Sequence, residues 1–146
     1  MTLQIYPPTE DEVRSGVLGR SLREFNYRAI GPYPETQTVH LNARSGSGDL
    51  LGGIRSIISI RWLIVEVLWV VDAARGRGVG AALLRECEAR AMTLGAHSAW
   101  LHTFDWQAPG FYARQGYVEC ARMRDYVPGQ DLITMEKRGL VDRAPA

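Results

Sequence analysis

The chain has 146 residues, of which 46% are hydrophobic and 23% charged, values of an ordinary globular protein rather than a disordered one. Seventeen basic against sixteen acidic residues give a formal charge of +1, without the basic surplus of a protein that grips nucleic acid through phosphates. The longest apolar run, Trp62 to Val71, contains Glu66 and is well short of the roughly 20 residues of a membrane-spanning helix.

Met1 to Pro8 lacks the basic and apolar regions of a secretory signal. Leu3 to Tyr6 reads as a short first strand. Thr9-Glu-Asp-Glu12 is a capping-box pattern that opens a helix, with Val13, Val17, Leu22 and Phe25 tracing its buried face. Asn26 to Gln37, rich in Pro, Gly and Tyr, reads as an ordered loop. Thr38 to Arg44 alternates like a strand, Ser45 to Asp49 is a turn, and Leu50 to Ile60 returns as the partner strand, with Gly52-Gly53 marking a bulge or bend. Trp62 to Val71 has the composition of a central strand covered on both faces.

Gly78 to Leu94 is the strongest helix pattern. Val79, Leu83, Cys87, Ala91 and Leu94 line one side, Arg85, Glu86, Glu88 and Arg90 the other, and Gly95 fits the stop. A strand over Ser98 to Phe104, a short helix over Ala108 to Gln115 with Pro109 in its first turn, and strands over Gly116 to Met123 and Leu132 to Glu136 complete the chain. The order β-α-(α)-β-β-β-α-β-α-β-β predicts an α/β fold, a mixed sheet with helices on both faces, in one domain over residues 1–146.

Two cysteines, Cys87 and Cys120, and three histidines are not at metal-ligand spacing, so no metal site is expected. The thiols read as buried and reduced, in a cytoplasmic protein.

The most informative segment joins the central strand to the long helix: Asp72-Ala-Ala-Arg75-Gly76-Arg77-Gly78-Val79-Gly80-Ala81. Alternating glycines bring backbone N–H groups close to a ligand, and the helix aims its positive end at the same place. That is a phosphate or pyrophosphate site, to which Arg75 and Arg77 add charge. The Walker pattern fails because no Lys-Ser/Thr follows the last glycine. The dinucleotide pattern fits nominally as Gly76-x-Gly78-x-x-Ala81, without the βαβ units that should surround it.

Arg75-x-x-Gly78-x-Gly80 after a strand ending Leu68-x-Val70 resembles the pyrophosphate loop of the GNAT superfamily of N-acetyltransferases, which bind acetyl-CoA. Asp105-Trp-Gln-Ala108-Pro-Gly-Phe111-Tyr112-Ala-Arg-Gln-Gly116-Tyr117 resembles the other GNAT signature, with Asp105 in place of the usual Asn and Tyr117 in place of Phe. The resemblance covers roughly residues 50 to 125. It implies a central sheet with two splayed strands, between which the pantetheine arm inserts, and direct attack of a primary amine on the thioester. Acetyl-CoA is then a co-substrate and the acceptor a small-molecule or peptide amine, with neither nucleic acid nor membrane as partner. A homodimer is compatible with this reading.

The resemblance also distributes roles. Leu68, Val70, Arg75, Gly76, Arg77, Gly78, Val79 and Gly80 fall at the cofactor positions, and Asp105 falls near the CoA arm or caps the Ala108 helix. Tyr112 takes the general-acid position; its spacing alone equally fits a core tyrosine. Glu66, the one charge in its strand, is either structurally paired or the base and amine binder. His102 is either the base or a satisfied buried histidine. Tyr27, Arg28 and Tyr33, in the segment after the first helix, are the candidates to line the acceptor site. Trp62, Trp69, Trp100 and Trp106 read as core, Trp106 least so. A non-catalytic acyl-CoA-binding or sensor module is the alternative from another class.

Overall fold

The computed structural model describes residues 1–140. The chain divides into two compact units, residues 1–34 and the remainder from Glu35.

In the first unit, residues 1–9 carry no regular structure, so the expected strand over Leu3 to Tyr6 is not formed. A lone strand has no ladder to join, and Pro7-Pro8 removes two donors directly after it. Thr9 opens helix α1 (Glu10–Ser15) with the expected capping box: the Thr9 N–H donates to Glu12 Oε2 at 2.7 Å, and the Glu12 N–H to Thr9 Oγ1 at 3.2 Å. Gly16, left-handed at φ 64°, ends it after six residues, and α2 (Val17–Ile30) follows. One expected helix is therefore two, and the second runs into the expected loop. Its last turns are tied by side chains: Arg23 Nε donates to the Tyr27 hydroxyl at 2.7 Å, and Tyr27 donates to the Tyr33 carbonyl at 3.1 Å. Val13, Val17, Leu22 and Phe25 are exposed, not a buried stripe, because two short helices provide no facing surface of their own.

The second unit is a six-stranded mixed sheet in the order β1-β2-β3-β4-β6-β5, from β1 (Gln37–Arg44), β2 (Leu50–Ser59), β3 (Trp62–Val70), β4 (Ser98–Phe104), β5 (Val118–Val127) and β6 (Gln130–Arg138). Only β3 and β4 are parallel, which requires a crossover; α3 (Val79–Thr93) supplies it and packs on β1, β2 and β3. Helix α4 (Pro109–Arg114) begins with its proline, as expected. Leu83, Leu84, Cys87 and Ala91 of α3 bury against Ile54, Leu63, Val65, Ala99 and Leu101. The Ser56 hydroxyl donates to the Val39 carbonyl at 2.7 Å and lies 3.2 Å from Cys87 Sγ. Burial pushes that thiol's pKa up. Cys120, expected to be buried, is exposed on β5.

Gly52 and Gly53 are not themselves the bulge. The register slips at Leu51 beside them, between the pairs Ala43–Gly52 and Arg44–Leu50. Gly52 serves a close approach instead: a Cβ there would lie 2.6 Å from the Trp69 carbonyl oxygen of β3. The last hairpin is longer than expected. Residues 124–126 loop out opposite Asp131, whose carboxylate accepts from the Asp125 N–H at 3.1 Å and from Arg122 at 2.9 Å, and the loop-out breaks the alternation that marks a strand. No helix among the described residues is long and apolar enough to cross a membrane.

Glu88 corrects the reading of α3. It is 7% exposed, on the core side, where Lys137 Nζ of β6 meets its Oε2 at 2.8 Å and the Tyr117 hydroxyl donates to its Oε1 at 2.9 Å. Breaking a buried pair leaves a naked charge behind, whereas a surface pair contributes little. Lys137→Met is expected to lower the unfolding free energy by about 3 kcal/mol. Arg90→Met, which opens the exposed Arg90–Glu86 pair of the same helix, should change it by less than about 1 kcal/mol. Denaturant titration of both variants checks this, and equal losses would refute the distinction.

Candidate active site

The site begins with one surplus residue. The register of β3 against β2 passes from Ser56–Val65 to Arg55–Val67, which leaves Glu66 without an opposite number. Such a bulge bends and twists its strand. The parallel ladder between β3 and β4 runs from Trp62–Ser98 to Val65–Leu101 and ends there. Beyond it β3 keeps β2 as its neighbour but has no ladder with β4. The expected coverage of the central strand on both faces therefore fails in its second half, where Val67 and Trp69 are exposed.

A cleft of about 1040 Å³ opens at the split, lined by Glu66 to Val70, the glycine loop, His102, Thr103, Trp106, Phe111 and Tyr112. The loop is held from within: Arg75 Nε donates to the Val70 carbonyl at 3.1 Å, and its guanidinium pairs with Asp72 at 2.9 Å. Gly76 and Gly78 lie in the left-handed region, φ 71° and 81°, which side chains rarely adopt. Gly78 caps α3 with no side-chain hydrogen bond, so the first N–H groups of the helix are open to an anion. Gly80 lets α3 approach α4; a Cβ there would be 3.4 Å from the Phe111 ring. Leu68, Val70, Arg75, Gly76, Gly78 and Gly80 all line the cleft. Arg77 is exposed outside the lining, and Val79 packs on the core.

Tyr112 is buried at the cleft wall, its ring 5.1 Å from Phe111 and 5.9 Å from Tyr117. Burial pushes its phenol above the ordinary tyrosine value, so it stays protonated through neutral pH. Glu66 lines the cleft, exposed and without an ion pair among the described residues, so the structural-pair reading is not met. His102 also lines the cleft. It is exposed rather than buried, with Nδ1 3.0 Å from Thr134 Oγ1.

Asp105 does not cap the Ala108 helix. Its Oδ2 accepts from the Asp131 N–H at 3.0 Å, and its own N–H donates to the Asp131 carbonyl at 3.2 Å, so it ties β4 to the last hairpin. It does not line the cleft, and the Ala108 N–H that it could have capped is directed at Thr103 Oγ1 instead, at 3.4 Å. In the first unit, Tyr27 and Tyr33 pack edge to face at 4.9 Å, Asn26 donates to the Tyr33 hydroxyl at 3.1 Å, and Arg28 is exposed. Trp69 and Phe111 were hidden from sequence reasoning inside apolar patterns. The available signal was Glu66, a charge interrupting the run that carries Trp69. Among the described residues no group of three or more His, Cys, Asp or Glu could hold a metal ion.

Residues 37–119 match the family model described as an acetyltransferase (GNAT) domain. The chain is 45% identical over 122 residues to blasticidin-S acetyltransferase from Streptomyces morookaense, covering 83% of this chain and 87% of that protein. The crystal structure of an acetyltransferase from Bacillus cereus ATCC 14579 superposes with a TM-score of 0.82 at 27% identity, covering 93% of this chain and 97% of that one. Nourseothricin acetyltransferase superposes with a TM-score of 0.63 at 29% identity, covering 73% of this chain and 66% of that one. The glycine loop at the start of α3, the split between β3 and β4 and these matches agree: the chain belongs to the GNAT acetyltransferases, which transfer the acetyl group of acetyl-CoA.

Proposed function

We propose that the chain, read as one domain over all 146 residues, acetylates a primary amine of a small molecule by direct attack of the amine nitrogen on the acetyl-CoA thioester. The observation that carries this reading is the shared cleft, lined at once by the glycine loop, the exposed Glu66 carboxylate and the buried Tyr112 phenol. Two relatives are named for acting on blasticidin S and nourseothricin, which supports a small-molecule acceptor. Consumption of acetyl-CoA and two unpaired thiols go with a cytoplasmic location.

The residues fit acetyl-CoA physically. Helix-terminal N–H groups and two left-handed glycines suit its pyrophosphate, and the β3 edge without a β4 ladder suits an extended amide-bearing arm. An alkylamine of pKa about 10.4 is neutral in only about one molecule in 2,500 at pH 7, a handicap of roughly 4–5 kcal/mol. Glu66 holds the ammonium as a carboxylate, and the proton leaves through water or through His102. Tyr112 donates its proton to the departing sulfur. Because a thiol of pKa about 8.5 leaves tolerably without that proton, the gain from Tyr112 is modest. Tyr27, Arg28 and Tyr33 are assigned to acceptor recognition.

Acetyl-CoA is expected to raise the melting temperature of the native chain and not that of Gly78→Glu, whose carboxylate would sit among the anion-binding N–H groups. An undiminished shift removes the loop from the site.

Tyr112→Phe should bind acetyl-CoA normally and lose roughly 100-fold in kcat. With the phenol raised by burial, the acid form persists as the pH rises past the ordinary tyrosine value of about 10, so any alkaline fall in kcat owed to Tyr112 lies above that pH and is absent from the variant. A wild-type rate returns Tyr112 to the core.

Glu66→Gln should raise the amine KM with acetyl-CoA affinity unchanged; steady-state kinetics at several pH values read both. An unchanged amine KM assigns the cation to another group.

A further inference from the structure

Two indoles at the cleft are half exposed, Trp69 at 51% and Trp106 at 53%, although a folded chain gains most by burying its largest apolar side chains. Strand register fixes the side on which they stand. Ile54 and Ser56 are fully buried, with Ser56 against Cys87 of α3, and Leu68 pairs with Ile54. Leu68 and Val70 therefore face α3, while Val67 and Trp69 face the opposite side of the sheet. On β4, Leu101 and Thr103 are buried toward α3, which puts His102 and Phe104 on the opposite side as well. Trp106 stacks flat on Phe104, with ring centres 4.3 Å apart and planes inclined at 11°, and Tyr126 closes on Phe104 at 5.7 Å.

Both indoles thus belong to the face away from α3. The last rung of the parallel ladder is Val65–Leu101, and the indoles stand a few residues beyond it, Trp69 on β3 and Trp106 in the turn that follows β4, with Glu66 on β3 between Trp69 and the rung. The glycine loop opens α3, so the phosphates of acetyl-CoA belong on the α3 side of the split, and the opposite face is left to the acceptor. That face offers the Glu66 carboxylate, the His102 imidazole and two large flat rings. A carboxylate selects a cation, and exposed indoles select a flat ring, which stacks on them with an affinity that a puckered saturated ring does not match.

We infer that the acceptor is an amine carried on a flat, unsaturated ring system, its ammonium at Glu66 and its ring against Trp106 and Trp69. This rests on the cleft being the amine site, as proposed above.

The test compares benzylamine with cyclohexylmethylamine, which has the same carbon count without the flat ring. It measures thiol release from acetyl-CoA and, independently of turnover, calorimetric binding of each amine in the presence of CoA. Benzylamine should bind about tenfold more tightly and show the correspondingly lower KM. Trp106→Leu, which keeps an apolar side chain but removes the ring, should abolish the preference while acetyl-CoA affinity is unchanged. Equal binding of the two amines, or binding of neither, overturns the inference. So does a Trp106→Leu variant that weakens acetyl-CoA but not acetyl-4′-phosphopantetheine, since the indole would then be serving the adenine. Tighter binding of benzylamine with no thiol release from any amine supports the ring site and refutes the transfer reading. Release with both amines at equal KM refutes the ring site alone.

Discussion

The active cleft depends on the single surplus residue of β3. A parallel pair of strands left to itself continues its ladder as far as both strands run, because every abandoned rung returns backbone polar groups to solvent. Glu66 directly follows the fourth and last rung of the ladder that begins at Trp62–Ser98. The cost is tolerable because β2 holds both halves of β3, and Gly52 allows the approach at the far end, where any side chain would collide with the Trp69 carbonyl. The same residue that opens the split supplies the carboxylate inside it. A chemically useful charge is thereby placed where the strand is least able to bury it, and the desolvation penalty that would attend a carboxylate in a continuous central strand is avoided.

Helix α3 connects this opening to the rest of the fold. Its first turn presents unpaired N–H groups to the cleft, its apolar side fills the core, and its one buried charge, Glu88, reaches Lys137 on β6 and the hydroxyl of Tyr117. Tyr117 in turn donates its backbone N–H to the Tyr112 carbonyl at 3.0 Å. Desolvation, with Glu88 beside it, pushes the Tyr117 phenol far above its ordinary value, so it stays protonated and donates to Glu88. The wall that carries Tyr112 is therefore anchored by a polar contact that phenylalanine, the family's usual residue there, could not make.

Local chemistry was legible in the sequence, and geometry set by pairing was not. The capping box at Thr9, the glycine loop, the apolar side of α3 as far as Ala91 and the proline start of α4 are each written within one stretch of chain, and each is formed, while Leu94, expected on that side, caps the helix end and is exposed. Glu88 was missed because an amphipathic pattern assigns charges to the solvent side, and only the arrival of Lys137, 49 residues away, makes its burial affordable. The tie from Asp105 to the backbone of Asp131 is not legible because that partner comes from a hairpin whose irregular register cannot be seen in residue alternation. Trp69 was read as core because apolar composition marks burial on average and does not register where a neighbouring strand turns away.

The glycine loop carries little of its positive potential on free side chains. Of its two arginines, Arg75 is already committed to Asp72 and to the Val70 carbonyl, and Arg77 stands outside the cleft lining. Beside Arg75, what the loop offers the cleft is backbone: left-handed glycines and the open end of a 15-residue helix. Dipoles fixed by the fold lose no side-chain entropy when a ligand arrives and are not free to swing into solvent, unlike long cationic side chains. Arg75 staples the loop from within. A formal charge of only +1 is compatible with a family whose common substrate is polyanionic, because the open N–H groups at the start of α3 carry positive partial charge that a count of side chains does not register.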